Sequence, residues 1–209
     1  MAREEKSKTV YWLGSNLYLN ITNECSNSCI FCIRKFKSGV YGFRLKLAKE
    51  PSVAQVIAEL KKVIYMRKWA ELVFCGFGEP TERLDALLEV TRWMRQHFGK
   101  PFLIRVNTNG HGYVLNRNRD LAKELKAAGV NKVSVSLNAG DEKTYNEICK
   151  PKIDNAYGEV LEFITKAKKE LEVEVTAVAT PEVNLQKIAA IAEKLDVKFR
   201  LRDYIPCFW

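Results

Sequence analysis

Six short strand-like segments alternating with helical ones constrain this chain more than any other feature. They are Leu17 to Thr22, Glu71 to Cys75, Phe102 to Asn107, Lys132 to Asn138, Val173 to Ala179 and Val197 to Asp203. The helical stretches between them carry their own signals. Ser52 with Gln55 fits a capping box, and Val53, Val56, Ile57 and Leu60 make the apolar stripe behind it. Further helices are expected over Thr81 to Phe98, Arg119 to Ala128 with Gly129 as the stop, Glu142 to Ile148, Ala156 to Leu171 and Leu185 to Leu195. Strands followed by helices imply right-handed crossovers and parallel pairing. A full eight-stranded barrel typically takes about 250 residues, and the chain has 209. The pattern predicts an α/β fold with an incomplete barrel; an open doubly wound sheet is the other topology it allows. One domain over 1–209 is expected, with its barrel core over 17–203 and the segment 33–50 a candidate lid.

The strands also alternate in polarity. Ser134, Ser136 and Asn138 share one face, with Val133, Val135 and Leu137 on the other. Glu174, Thr176 and Thr180 alternate with apolar neighbours, as do Arg200 and Arg202, and Asn20 and Thr22. A parallel sheet covered on both faces reads as nearly continuous apolar runs. The alternation therefore predicts helices on one face and a polar chamber on the other, unless these residues merely sit at exposed strand ends.

Composition narrows the class. Hydrophobic residues are 47% and charged residues 28% of the chain, as in ordinary globular proteins. No apolar run approaches the roughly 18 residues of a membrane span. Met1 to Lys8 is charged and lacks the apolar core of a secretory signal, so a cytoplasmic location is expected. The formal charge of +9 comes from 34 basic and 25 acidic residues, densest from Arg34 to Lys49. Such a stretch can steer an anionic partner, or it can simply be a solvated loop. Binding or modification of nucleic acid remains an alternative, with no motif in its support.

Six cysteines in a reducing compartment do not read as disulfides. Cys25, Cys29 and Cys32 fall in one tight run, Cys25-Ser26-Asn27-Ser28-Cys29-Ile30-Phe31-Cys32, directly after the first strand. Three thiolates can wrap one face of a cubane cluster, and three ligands for four irons leave one iron open to a substrate or cofactor. Zinc usually takes four ligands. The two histidines, His97 and His111, lie far along the chain without ligand spacing.

The C-x3-C-x2-C run, with Phe31 before its last cysteine, resembles the signature of the radical S-adenosylmethionine (SAM) enzymes. The resemblance extends from about Tyr11 to Pro206. It implies a partial (β/α)6 barrel and one [4Fe–4S] cluster on Cys25, Cys29 and Cys32. The open iron would chelate the methionine moiety of SAM, and one electron would split the sulfonium to give a 5′-deoxyadenosyl radical. An external one-electron reductant such as flavodoxin or ferredoxin is implied as well.

Other segments match that family in order. Gly76-Phe77-Gly78-Glu79-Pro80 resembles its glycine-rich segment, which holds the methionyl amine, here through Glu79 and local carbonyls. Phe77 stands where a second small residue is usual. Asn107-Thr108-Asn109-Gly110 resembles the Thr-Asn-Gly segment near the cofactor, and Ser136 and Asn138 stand where similar enzymes contact its carboxylate or ribose. The fifth strand lacks the family's glycine pattern, so an adenine contact would come through backbone and Val178. Tyr11 to Gly14, Cys75 to Pro80 and Arg200 to Arg202 are similar to radical enzymes encoded beside a TatD-family nuclease, which implies a functional link to such a nuclease. The substrate is not implied.

Arg200 and Arg202 lie toward the C-terminal end of the last strand, the active end of barrel enzymes. Either binds an anion of substrate or cofactor, or pairs with Glu174 or Asp203. Cys75, Cys149 and Cys207 read as inert buried thiols, with an auxiliary cluster or a thiol relay as alternatives. A noncatalytic iron–sulfur protein for electron transfer or sensing is the competing class; it calls for four ligands and no chamber.

Overall fold

In the computed structural model, which describes residues 7–99 and 102–204, the strand-like runs assemble into one seven-stranded sheet. Cys207 and residues 1–6 of the charged N-terminal stretch lie outside the described residues. The elements run β1 (Val10–Leu13), β2 (Asn16–Leu19), β3 (Gly39–Val40), β4 (Phe43–Arg44), α1 (Val53–Val63), β5 (Glu71–Phe74), α2 (Leu84–Phe98), β6 (Leu103–Thr108), α3 (Gly112–Leu115), α4 (Leu121–Ala128), β7 (Lys132–Ser136), α5 (Glu142–Cys149), α6 (Ala156–Ala167), β8 (Glu172–Val178), α7 (Leu185–Lys194) and β9 (Lys198–Arg202). Sheet order is β1-β2-β5-β6-β7-β8-β9. β1 is antiparallel to β2, and every other pairing in this sheet is parallel. The six predicted strands appear in chain order, as the parallel core of a partial (β/α) barrel.

Local chemistry sets the boundaries. Ser52 and Gln55 form the reciprocal capping box at α1. Asp120 caps α4, and Gly129, at φ 110°, ends it in the left-handed conformation. Two features were not expected. β1 joins the sheet through a tight turn in which Gly14 has φ 56°, and the segment 33–50 contains the β3–β4 hairpin.

The registers settle which face is which. Leu17, Leu72, Ile104, Val133, Val173 and Val175 turn outward and are almost fully buried, with helical side chains such as Val56, Leu87, Leu125 and Phe163 in the same core. Their strand neighbours Asn107, Ser134, Ser136, Glu174, Thr176, Arg200 and Arg202 turn inward, and Ser134 is paired with Glu174 and Thr176 with Arg200 across the strands. The polar alternation thus marks a chamber lined by the inner face, with the apolar core outside it.

The segment 33–50 is tied down over one side of this chamber. Leu45 and Leu47 are buried, and Leu45 packs in a small cluster with Tyr11 and Phe77. Asn20 donates to the Leu45 carbonyl at 2.7 Å, and Asn23 exchanges two hydrogen bonds with Leu47.

Candidate active site

The cysteine loop leaves β2 at its C-terminal end and lies against the end of α5. Ser28 N–H donates to the Cys149 carbonyl at 3.0 Å, Ile30 N–H to Ile148 at 2.8 Å, and Lys152 N–H to Ser26 at 2.8 Å. Cys25, Cys29 and Cys32 are free, half-buried thiols.

A buried polar circuit holds the same loop from inside. Asn27 Nδ2 donates to the Tyr145 hydroxyl at 3.1 Å. Tyr145 lies 3.0 Å from His111 Nε2, and His111 Nδ1 lies 2.9 Å from Ser26 Oγ. The His111 ring thus bridges the Tyr145 hydroxyl and Ser26 Oγ through its two nitrogens. Asn109 Nδ2 also donates to Ser26 Oγ, at 2.8 Å. The circuit begins and ends on adjacent residues of the cysteine loop. Burial keeps His111 neutral by pulling its pKa down to about 4.

Burial and the nearby Glu79 carboxylate push the Cys25 thiol up to about 12, with Arg34 pulling the other way. Contact with the Cys149 thiol, together with burial, raises Cys29. Burial raises Cys32. Such thiols ionise when a metal supplies the compensating positive charge. Among the described residues, no three Cys, His, Asp or Glu side chains stand close enough to share a single metal ion. Thiolates on three different irons of a cubane stand further apart than ligands of one ion. Three thiols on one short loop match in number the protein ligands of a cubane with one open iron, whereas zinc usually takes four ligands.

The glycine-rich segment packs directly on the start of the cysteine loop. A Cβ at Gly76 would fall 2.1 Å from Asn20 Oδ1, and one at Gly78 would fall 2.5 Å from the Glu24 carbonyl oxygen. Both positions need glycine for close approach. Phe77 is buried, and its N–H donates to Asn20 Oδ1 at 3.1 Å; the side chain that replaces a small residue fills the cluster under segment 33–50.

Glu79 is buried and accepts four bonds from protein. Its Oε1 takes Thr81 N–H at 3.1 Å, Thr81 Oγ1 at 2.7 Å and Thr108 Oγ1 at 2.8 Å; its Oε2 takes Asn109 N–H at 2.6 Å. Burial raises its pKa against these donors. Glu79 therefore clamps the glycine segment to the end of β6, which the sequence did not reveal. Of its two oxygens, Oε2 keeps the freer lone pair.

The two candidate arginines part company. Arg200 Nε donates to Glu174 Oε1 at 2.8 Å, and Lys132 reaches Glu174 Oε2 at 3.2 Å. Burial would raise the Glu174 pKa, but the bonds from Arg200 and Lys132 outweigh it and hold the group low. Arg200 therefore serves an ion pair, the structural option. Arg202 forms no ion pair among the described residues. Its Nη2 makes two 3.3 Å contacts, to Ser136 Oγ and Asn138 Oδ1. Its Nε is closed off from solvent and has no hydrogen-bond partner among the described residues. Burial pulls its pKa down, opposed by the nearby Cys75, Cys29 and Cys149 thiols. Val178 lies opposite Arg202 in the register, and the Thr180 hydroxyl, just beyond β8, is also buried without a partner among the described residues. Phe31 is half-buried against the core beside the loop.

Cys25, Glu79, Asn109, Ser136, Asn138 and Arg202 thus gather at the C-terminal end of the strands, with the glycine segment beside them. Ser26, Asn27, Tyr145 and His111 were missed. The one available signal was position, since His111 directly follows Asn109-Gly110.

The chain matches the family described as the Radical SAM superfamily over residues 19–195. It is 32% identical over 134 residues to a probable GTP 3′,8-cyclase of Thermococcus kodakarensis, covering 64% of this chain and 38% of that protein. For the protein of the same description from Pyrococcus horikoshii, the figures are 30% over 155 residues, 74% and 43%. The chain therefore spans about two fifths of these relatives. Among solved structures, TYW1 with a lysine-pyruvate adduct bound aligns at TM-score 0.64 and 17% identity, over 92% of this chain and 65% of that one. The FeFe-hydrogenase maturase HydG of Carboxydothermus hydrogenoformans aligns at 0.66 and 16%, over 92% and 44%. At such identities the structural likeness shows a shared fold.

Proposed function

Because the chain belongs to the radical SAM superfamily, we propose that it binds one [4Fe–4S] cluster through Cys25, Cys29 and Cys32 and reductively cleaves SAM there. When bound, the cluster and SAM together supply a 5′-deoxyadenosyl radical, which abstracts hydrogen from a substrate. The observation that carries this reading is the three-cysteine loop fixed at the mouth of a polar chamber that holds unpartnered donors.

The chain's own residues do the positioning. Ser26 and Asn27 hold the loop through His111 and Tyr145. Gly76, Phe77 and Gly78 offer backbone carbonyls for the methionyl amine, and Glu79 Oε2 lies on the same segment. Asn109, Ser136 and Asn138 face the ribose and carboxylate, and Phe31 and Val178 flank the adenine. Arg202 and Thr180 are aimed at an anionic group of the substrate, a carboxylate or phosphate that accepts from the free Nε and the hydroxyl. Arg200 acts at one remove, by neutralising Glu174.

The cyclases' substrate is not carried over, because the shared part covers less than half of those proteins. Tyr11 to Gly14, Cys75 to Pro80 and Arg200 to Arg202 support placing the chain with the TatD-associated group and a functional link to that nuclease. A flavodoxin or ferredoxin in the cytoplasm would be the electron source. No helix among the described residues is long and apolar enough to cross a membrane.

The test is anaerobic reconstitution with iron and sulfide, reduction with dithionite, and assay of 5′-deoxyadenosine and methionine from SAM. Both products are expected. A loaded, reduced cluster that leaves SAM intact contradicts the proposal and favours an electron-transfer protein.

A further inference from the structure

We propose that Arg34 is a positioning residue for the cluster, tying three segments of the site together with its guanidinium fork and raising the cluster's reduction potential with its charge. Arg34 follows Cys32 by two residues, in the 3-10 turn Ile33–Lys35. Its Nη1 donates to the Asn23 carbonyl at 3.0 Å and to the Phe77 carbonyl at 3.2 Å. Its Nη2 donates to the Asn27 carbonyl at 2.8 Å. Asn23 leads into the cysteine loop, Asn27 lies between Cys25 and Cys29, and Phe77 lies between the two glycines of the SAM segment. One planar group therefore fixes the entry and the middle of the loop, its own exit behind Cys32, and the glycine segment opposite.

No ion pair among the described residues neutralises this group. Among the described residues Arg34 has no carboxylate partner, unlike Arg83, Arg105, Arg119 and Arg200. It is half-buried and stands close enough to all three cysteines to act on each electrostatically. An unneutralised positive charge beside a cluster favours the state that has gained an electron. The fork and the charge are separable by substitution, because lysine keeps the charge and loses the planar fork.

The inference rests on the cluster reading, so the wild-type protein is the control. Wild-type, Arg34→Lys and Arg34→Gln proteins are reconstituted, and three quantities are read: iron and sulfide per chain, the rate of iron loss to a chelator, and the midpoint potential by titration of the cluster's spectrum. Arg34→Gln is expected to need a more negative potential, with the reduced-to-oxidised ratio at fixed potential falling about tenfold, equivalent to about 59 mV for one electron. Arg34→Lys is expected to keep the wild-type potential and to lose iron several-fold faster. A wild-type midpoint in loaded Arg34→Gln overturns the electrostatic role. Iron loss from Arg34→Lys at the wild-type rate overturns the clamp, and this arm stands even if Arg34→Gln does not load. A wild-type protein that takes up no cluster defeats the cluster reading itself.

Discussion

Arg200 and Arg202 lie two residues apart on the same face of the same strand, yet the two ends of the chamber treat them differently. At the N-terminal end of the strands, charges are matched within the protein. Glu71 holds Arg105 at 2.8 Å, and Glu174 holds Lys132 and Arg200. At the C-terminal end the polar groups outnumber their partners. Among the described residues, Arg202 Nε, Thr180 Oγ1 and Asn27 Oδ1 are buried without hydrogen bonds. A buried polar atom without a partner costs stability, and its recurrence at one end of a chamber marks where a ligand completes the set. The lower end is scaffold, and the upper end is built to be finished by something bound.

The largest effect that separates the ends is loss of the cluster. Replacing Cys25, Cys29 or Cys32 with alanine should abolish bound iron and sulfide while leaving the circular dichroism of the fold unchanged. Replacing Cys75 or Cys149 should leave cluster content near that of the wild type. Equal iron loss from all five variants would break the assignment.

A smaller effect comes from His111. Its folded pKa lies below the ordinary value of about 6.5, so the unfolded chain binds the extra proton. The stability it contributes is full above about pH 6.5 and is lost as pH falls toward 4. The shift to about 4 corresponds to about 3 kcal/mol. Denaturant unfolding of wild-type and His111→Gln proteins between those pH values should show the slope in the first and a flatter one in the second. Parallel slopes would remove His111 from the account.

Next comes Glu79→Gln, which should weaken SAM binding about ten- to a hundredfold, the equivalent of about 1.5–3 kcal/mol for a charge-assisted bond. Titration of the cluster's spectrum with SAM reads this. An unchanged affinity would leave Glu79 solely as the clamp between Thr81, Thr108 and Asn109.

Much of this was legible in the sequence, because periodicity reports burial. Val133-Ser134-Val135-Ser136 announced an apolar outside and a polar inside, and the spacing of three cysteines marked the loop on which the cluster proposal rests. What stayed hidden depends on contacts between distant segments. Nothing local to His111 or Tyr145 shows that they meet Ser26 and Asn27, 85 and 118 residues apart along the chain. The strand β1 escaped because it adds to the sheet edge antiparallel, outside the strand–helix rhythm. The anchoring of the candidate lid 33–50 stayed hidden because basic residues dominate its composition, whereas Leu45 and Leu47, two residues among many basic ones, tie it down. The pairing choice of Arg200 over Arg202 is a matter of register, since Glu174 has Ser134 on one side and Lys198 on the other and lies nearer Arg200.

Removing Arg200 should be the milder structural change. Arg200→Met leaves Glu174 with Lys132 and Ser134, and the arginine is itself partly exposed, so a cost of about 1.5 kcal/mol is expected. Its acid sensitivity should also change. The depressed Glu174 pKa contributes stability above the ordinary carboxylate value that is lost as pH falls, and in Arg200→Met that loss should begin at higher pH. A variant with wild-type melting and acid profile would dissolve the distinction from below.

The most direct measurement sets Arg200→Met beside Arg202→Met in thermal melting of the cluster-loaded protein without substrate. A buried charge with an unpartnered Nε contributes little to the fold, and replacing it with an apolar side chain relieves its desolvation. Arg202→Met is therefore predicted to melt at or above the wild type and Arg200→Met below it. Arg202→Met melting lower than Arg200→Met would mean that Arg202 is scaffold, and the division of the chamber into a finished end and a waiting end would fall.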